Sequence, residues 1–327
     1  MAFFLSFMLR RLTQGLLIIL IVGFVIFALL RIIPGDPVRI IVGPMATETQ
    51  IEEIAKDLGL RDPLVVQFGR YLVELSNGDM GNSFIKNKSG ANVVMGRSSE
   101  GLDNKASVFD LIVAAAPYSI QLAGLSVVFA LMFSLPVGIA AGLRPDSWIN
   151  KISFGISSIF VSLPNIWLGI LLILILSTKL HWLPAIGYKG FSYTILPAIV
   201  LAIELSSVIV RALSSSVTSA MQETYIQAGV VRGLSVGHMI RHHVLRNAAI
   251  PMLNLFGAQL GGLLLGSIFV VEYIFNYPGL GLLTINAVFQ RDFPVIQGVA
   301  ILTTAVLVLI NIVVDLISAS IDRRLQY

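Results

Sequence analysis

Three groups of residues in this sequence have the types and spacing for chemistry. His238 and His242 stand four residues apart, with His243 beside them. On a helix that spacing brings two imidazoles to one face, where they can ligate zinc. No Glu completes an H-E-x-x-H pattern and no third ligand follows, so we read them as the polar face of a surface helix that meets another protein. Glu204 and Arg211 form the second group, inside an apolar stretch. A spacing of seven puts them near one helix face but too far apart for a simple helical pair. Charged groups are costly in lipid, so these two should face protein or a cavity. A proton relay is one reading; a structural ion pair, or Arg211 snorkelling to the inner surface, is the plainer one and the one favoured. The third group is hydroxyl and amide. Ser162, Asn165, Ser206, Ser207, Asn254 and Gln259 all fall in apolar stretches. Such groups make weak, exchangeable hydrogen bonds suited to passing varied polar cargo. The candidate pathway lining is therefore Ser162, Asn165, Glu204, Ser207, Arg211, Asn254 and Gln259.

Other chemistry is missing. No G-x-x-x-x-G-K-[ST] run occurs, so the chain cradles no nucleotide phosphates. It has no cysteine, which excludes disulfides and thiolate metal sites. No serine, histidine and carboxylate constellation suggests nucleophilic or acid–base catalysis. We expect no catalytic, cofactor or metal site.

The elements that position these groups follow from composition. Of 327 residues, 56% are hydrophobic and 12% charged, about half the charge of a soluble domain. With a mean hydropathy of +0.87, the chain reads as a polytopic membrane protein. Its net charge of +4 fits basic residues on cytoplasmic loops. A nucleic-acid interface would need a clustered basic face with stacking aromatics, and none is present.

Taken in order, Arg10-Arg11 precede an uncharged run from Leu12 to Leu30, one bilayer crossing in length. This is expected to be a retained first span and not a secretory signal, because the apolar run is too long and no small-residue cleavage site follows. Residues 34–115 form an external segment with two amphipathic helices. Thr47 and Gln50 make a capping box for the first, and Asp62-Pro63 start the second. Lys86–Ser107, rich in Gly, Ser, Asn and Lys, is expected to be a mobile insertion. Further spans are expected at Pro117–Leu143, Ile152–Thr178, Ile195–Leu213, Ala248–Val271 and Val295–Ile317. Pro164 interrupts the third and frees a carbonyl that an asparagine can answer. Gly257-x-x-x-Gly261 lets another helix approach the fifth, within the bundle or from a partner. Six spans put both basic termini inside, as the charge rule requires.

The longest basic, polar interruption in the second half is Gln222–Pro251, QETYIQAGVVRGLSVGHMIRHHVLRNAAIP. Gln222–Arg232 can be helical, Gly233 supplies a positive φ for a helix end, and Ser235 can cap a second helix through Arg246. Here the sequence resembles the cytoplasmic "EAA" loop of permease subunits of ATP-binding-cassette importers, in the form of the dipeptide, oligopeptide and nickel group. Gln227, Ala228 and Gly229 stand where the general motif has Glu-Ala-Ala, and Gly233 is the motif glycine. The general motif ends in Ile-x-Leu-Pro, whereas this chain has His243-Val244-Leu245-Arg246 and continues Asn247-Ala248-Ala249-Ile250-Pro251. RIIPGDP (31–37), GDMGNSF (78–84), VVEYIFNYPGLG (270–281) and RDFPVIQG (291–298) resemble the same group.

The resemblance implies an all-α polytopic protein of six transmembrane helices with the type I ABC importer permease fold, one permease domain over 1–327. Within it lie the N-terminus and first span (1–33), the external loop (34–115), five further spans (116–321) with a coupling loop at 214–247, and a cytoplasmic tail (322–327). It places the chain in the bacterial inner membrane, both termini cytoplasmic. It implies as partners a second homologous permease subunit, two ATPase subunits and an external substrate-binding protein, in a lipid bilayer and without nucleic acid. ATP and Mg belong to the ATPase subunits. The loop residues it assigns to ATPase coupling are Glu223, Tyr225, Gln227, Ala228, Gly229, Arg232, Gly233, Leu234, Ser235, Arg241, His242, Leu245, Arg246 and Asn247. Short peptides or peptide-like solutes are the expected cargo, with nickel or another metal chelate as the alternative. From other classes, an ion-gradient-driven secondary transporter would want intramembrane carboxylates in matched halves, a membrane enzyme would want a catalytic constellation, and a purely structural subunit would want neither.

Overall fold

The structure is a computed structural model that describes residues 2–32, 47–57, 59–87 and 105–321. The expectations on 33–46, Leu58, 88–104 and the tail 322–327 lie outside the described residues. So do those on the side chains of Gln227, Arg241, His243 and Arg246.

Long apolar runs free of breakers become long helices, since in lipid every backbone group must be bonded internally. Among the described residues five are long and apolar enough to cross a membrane: Met8–Ile32, Val108–Leu143, Ser192–Met221, Asn247–Ile274 and Phe293–Ser320. A bent pair, Trp148–Ser162 and Asn165–Lys179, meeting at an angle of 102°, makes six where it crosses as one span. The expected proline effect is thus larger than a kink. Leu163 is extended (ψ 126°) and Pro164 opens the next helix with no N–H to give.

Two compact units divide the chain. The first comprises residues 1–118 and 279–306. Its helix α1 (Ala2–Ile32) ends against helix α3 (Leu64–Ser76). Phe68 stacks edge-on against both Phe24 and Phe27, at 5.2 and 5.3 Å. Helix α2 (Glu48–Asp57) carries the expected capping box: Thr47 N–H donates to Gln50 Oε1 (3.1 Å) and Gln50 N–H to Thr47 Oγ1 (3.4 Å). The segment 34–115, expected to be external, ends in helix. Strands β1 (Asn82–Asn87) and β2 (Lys105–Ser107) pair antiparallel at the two ends of the expected insertion. Helix α4 (Val108–Leu143) then begins at once. Asp110 in its first turn suits the helix dipole, and Pro117, taken from sequence as a start, is absorbed within it.

The second unit comprises residues 119–278 and 307–327. Helix α5 (Trp148–Ser162) is capped by Ser147, whose Oγ accepts from Asn150 N–H, and α6 (Asn165–Leu172) follows the break. Helix α7 (Ser192–Met221) is mostly buried and runs well past the expected Leu213. Helices α4 and α7 touch where a Cβ on Gly142 would lie 2.6 Å from the Ser214 carbonyl oxygen, so only glycine permits this approach. The glycine pair of the fifth span has a partner within the chain. Cβ atoms on Gly257 and Gly261 would meet Val314 and Leu307 of the last helix at 2.9 and 2.7 Å.

Candidate functional site

The basic loop folds as two short helices. Helix α8 (Thr224–Val231) follows α7 after a turn in which Glu223 N–H donates to the Ala220 carbonyl. It ends at Gly233, whose φ is +74°. Leu234 N–H reaches back to the Gly229 carbonyl at 3.1 Å, the six-to-one bond of a helix closed by a left-handed residue. Nothing lies within 4 Å of a Cβ placed on Gly233, so conformation and not space selects glycine there. Ser235 then caps α9 (Val236–Met239), its Oγ accepting from His238 N–H at 3.4 Å.

The second helix does not stop at Arg246. It passes through a π turn, Ile240–Val244, into α10 (Leu245–Gly262), through a second π turn, Leu263–Ser267, and on to α11 (Ile268–Ile274). Asn247-Ala248-Ala249 holds no breaker, and Pro251 is accommodated inside the helix. The loop's second half and the fifth span are therefore one continuous rod.

The inner face of this fold is apolar. Ile226, Met239, Val244 and Ala248 pack with Leu213, Val217 and Ala220 of α7 in one buried cluster. Burying a side chain such as Met239 stabilises by roughly 1.5–3 kcal/mol. Gly229 permits the approach of the two short helices: a Cβ there would sit 3.1 Å from Met239 Sδ. Asn247 Nδ2 donates to Tyr225 Oη at 2.5 Å, tying α8 to the rod. The outer face is exposed and mixed. It carries Glu223, Tyr225, Ala228, Arg232, Leu234, Ser235, His242 and Asn247, and it includes Val231 at 88% exposure. Leu245 is half-buried. The His238 and His242 rings stack at 4.3 Å, and His242 Nδ1 lies 3.2 Å from the His238 carbonyl. Among the described residues no group of three or more His, Asp or Glu could hold a metal ion.

The membrane-level candidates divide. Asn165, first residue after the helix break, donates through Nδ2 to Glu204 Oε2 at 2.7 Å, and Ser267 Oγ donates to Glu204 Oε1 at 3.0 Å. Glu204 thus bonds two neutral donors from α6 and from the second π turn. Of the two plain readings, an ion pair or a snorkelling Arg211, the ion pair is not formed. Arg211 is exposed, with its guanidinium carbon 4.6 Å from the Phe154 ring centroid, because seven residues separate the two groups by nearly two helical turns. The asparagine expected to answer a freed carbonyl answers a carboxylate. Ser207 is buried and donates to the Ile203 carbonyl at 2.7 Å; Ser162 is exposed and bonds the Ser158 carbonyl at 2.9 Å. Asn254 is exposed and accepts from Ser318 at 3.3 Å, and Gln259 is half-exposed. The structure gathers Asn165 with Glu204 and leaves the others dispersed.

Two buried polar networks were not singled out as sites in the sequence. Glu272 is fully buried and accepts from Ser119 Oγ at 2.6 Å. Nearby, Tyr277 Oη lies 3.0 Å from Thr194 Oγ1, which also receives Gln121 Nε2 at 3.0 Å. In the first unit, Asp292 accepts from Ser83 Oγ and from Phe84 N–H (2.9 Å). Burial pushes the Asp292 carboxyl above its usual range, against the lowering effect of Ser83, the Phe84 and Ile85 amides and Lys105. Burial likewise lowers Lys105, which donates to the Phe84 carbonyl at 2.8 Å. Glu272, Tyr277, Ser83, Phe84 and Asp292 stand in VVEYIFNYPGLG, GDMGNSF and RDFPVIQG, while Ser119, Gln121, Thr194 and Lys105 lie outside these motifs.

Comparison with known proteins agrees with this architecture. Residues 134–327 match the family described as binding-protein-dependent transport system inner membrane component, and residues 4–123 match the N-terminal family of the same membrane components. The glutathione transport system permease protein GsiC of Salmonella paratyphi A is 34% identical over 323 residues, 99% of each chain. GsiC of Escherichia coli K12 is equally similar, at 34% over 323 residues. Among solved structures, a chain of the MetNI methionine ABC transporter in an inward-facing conformation matches with a TM-score of 0.56 at 20% identity, covering 65% of this chain and 96% of that one. The last likeness speaks to the type I permease fold. Taken together, the matched families, the full-length relatives and the membrane-spanning helices show that this chain belongs to the binding-protein-dependent transport system inner membrane components, as a multi-pass inner-membrane permease subunit of an ABC importer.

Proposed function

We propose that this subunit forms half of a translocation pathway for short peptides or peptide-like solutes. The observation that carries the cargo class is the 34% identity, end to end, to permeases named for glutathione transport. A type I permease moves cargo by alternating access, and the energy must enter through a stiff element. Residues 222–251 supply such a lever. Two capped helices, locked by Met239 against Gly229 and by Tyr225 against Asn247, continue directly into a membrane-spanning rod. A push on the exposed face at Tyr225, Val231 and Leu234 is transmitted along that rod.

The reading extends to partners. Two ATPase subunits grip the loop of this chain and that of a second, homologous permease. ATP and Mg bind the ATPases, and this chain hydrolyses nothing itself. An external binding protein delivers cargo, and both termini lie in the cytoplasm. Within the membrane, Glu204, held by Asn165 and Ser267 at the broken span, is the polar group most suited to meet a polar cargo. Ser162, Ser207, Arg211, Asn254 and Gln259 are weaker candidates for the lining. Co-purification tests the pairing: a functional transporter built with this permease twice over, and no second kind, would refute it. Binding assays on the cognate binding protein test the cargo. Tight binding of a metal chelate or sugar with no affinity for peptides would overturn the peptide assignment and leave the permease role standing.

A further inference from the structure

The first unit contains a polar cavity that importer function does not account for. Arg31 lies in the last turn of α1, at the external end of the first span. Its guanidinium sits 3.4 Å from the centroid of Phe27 and its Nε donates to Gln67 Oε1 at 2.6 Å. Gln67 is itself buried and fixed through Nε2 to the Leu60 and Asp62 carbonyls, at 3.1 and 2.7 Å. The guanidinium is therefore held in place, and among the described residues it forms no ion pair with a carboxylate.

Two cavities meet at this arginine. One, of about 160 Å³, is lined by Arg31, Arg70, Tyr71, Glu74 and Gln297 among others. The second, of about 460 Å³, shares Arg31, Gln67 and Gln297, adds Arg61 and Asp62, and is otherwise walled by apolar groups such as Leu30, Ile32, Leu64 and Phe293. That volume lies within the usual range for small-molecule sites. The Tyr71 hydroxyl and Gln297 Nε2, both buried and lining the smaller cavity, face one another without a hydrogen bond of normal geometry. Gln297 is only 4% exposed. Buried donors left this way are rare, and each keeps a hydrogen that a ligand oxygen can accept. Burial raises the Tyr71 hydroxyl to about 12, against the lowering effect of Gln297 and with a smaller raising effect from the Glu74 carboxylate. Donors on one side and an apolar trough on the other describe a site for an anionic amphiphile.

The position argues for lipid. Helix α3 exposes Val65 (72%) and Val73 (62%), and α1 exposes Leu29 and Ile32 at the end that reaches the trough. An apolar helix face at the end of a span is what an interfacial segment presents to a leaflet. We propose that the Arg31–Tyr71–Gln297 cavity binds the phosphate of an outer-leaflet phospholipid, with an acyl chain along Leu30, Ile32 and Leu64. Arg31 supplies the charge, Tyr71 and Gln297 the neutral donors.

The assembled importer, extracted and stripped of lipid, is titrated with phosphatidylglycerol or with inorganic phosphate, and bound lipid is read by native mass spectrometry. One tightly retained phosphatidylglycerol per copy of this chain is expected. Gln297→Leu and Arg31→Gln should weaken that retention at least tenfold, while Arg31→Lys keeps part of it. If loss of the Gln67 bond prevents Arg31→Gln from assembling, Gln297→Leu decides alone. Equal retention by wild type and Gln297→Leu overturns the proposal. Inorganic phosphate that displaces the lipid at equal concentration makes the ligand a free anion and overturns the lipid. Displacement by the binding protein alone makes the cavity a protein contact and overturns the lipid as well.

Discussion

Asp292 accepts a hydrogen bond from the hydroxyl of Ser83, two residues more than two hundred positions apart, and both are buried. Asp292 directly precedes the last helix, and Ser83 is the second residue of strand β1. The same carboxylate takes the Phe84 amide at 2.9 Å. The bond pins two segments that resemble importer signatures to one another, and it gives the strand pair a fixed attachment.

Removing that carboxylate strands buried donors. Asp292→Ala should destabilise by roughly 1–3 kcal/mol for each donor left unpaired, seen as a lower melting temperature of the detergent-solubilised protein. The pH dependence has a definite sign. Burial raises the folded pKa of Asp292 above its unfolded value, so its contribution to stability is full below the unfolded pKa and is lost as pH rises through the folded one. Lys105 faces it, its own pKa lowered by burial against the raising effect of Asp292. Wild type should therefore gain stability over Asp292→Asn on acidification from neutral pH. A gap that shrinks on acidification would contradict this.

Gly233 is selected by φ and not by space. A side chain there costs about 1–2 kcal/mol of left-handed strain, less for Asn, which tolerates that region. Gly233→Val should assemble in the membrane and lose most ATP-dependent uptake, and Gly233→Asn should retain most of it. Normal uptake and normal stimulated ATPase in Gly233→Val would refute the lever.

At Gly229 the constraint is contact. A Cβ would press on Met239, so Gly229→Val should part the two short helices and uncouple ATP hydrolysis from uptake, with the spans intact by circular dichroism. Tyr225→Phe removes the hydroxyl that accepts from Asn247 and should cost less, on the order of 1 kcal/mol. An inverted order of these two effects on uptake would show that the exposed surface, and not the packing, sets the coupling.

Glu204 should matter for passage more than for folding. Glu204→Gln keeps an acceptor for Ser267 or Asn165 but removes the charge. It should change the rate of cargo uptake several-fold while leaving assembly and thermal stability near wild type. Uptake identical to wild type would remove Glu204 from the pathway.

Much of this was legible in sequence because membrane spans follow apolar run length, and because Gly233, Ser235 and the Thr47–Gln50 capping box act through local geometry. What was not legible depended on tertiary partners. Glu204 found Asn165 and Ser267, not Arg211, because its neighbours come from other helices. The fifth span absorbed the second loop helix because Asn247 to Ala249 contains no breaker, and Pro251, a breaker by propensity, sits within the continuing helix. The strand pair at Asn82–Asn87 and Lys105–Ser107 is too short, and its strands too far apart in sequence, to be seen by alternation.

Reconstitution tests the central claim most directly. This chain, with its partner permease and ATPases, is placed in proteoliposomes, and uptake of a labelled peptide such as glutathione is followed with the binding protein outside. The account predicts accumulation that requires ATP inside, the binding protein outside and this chain, and no ATP hydrolysis by this chain alone. Accumulation by this chain alone, driven by an ion gradient without ATP, would contradict it.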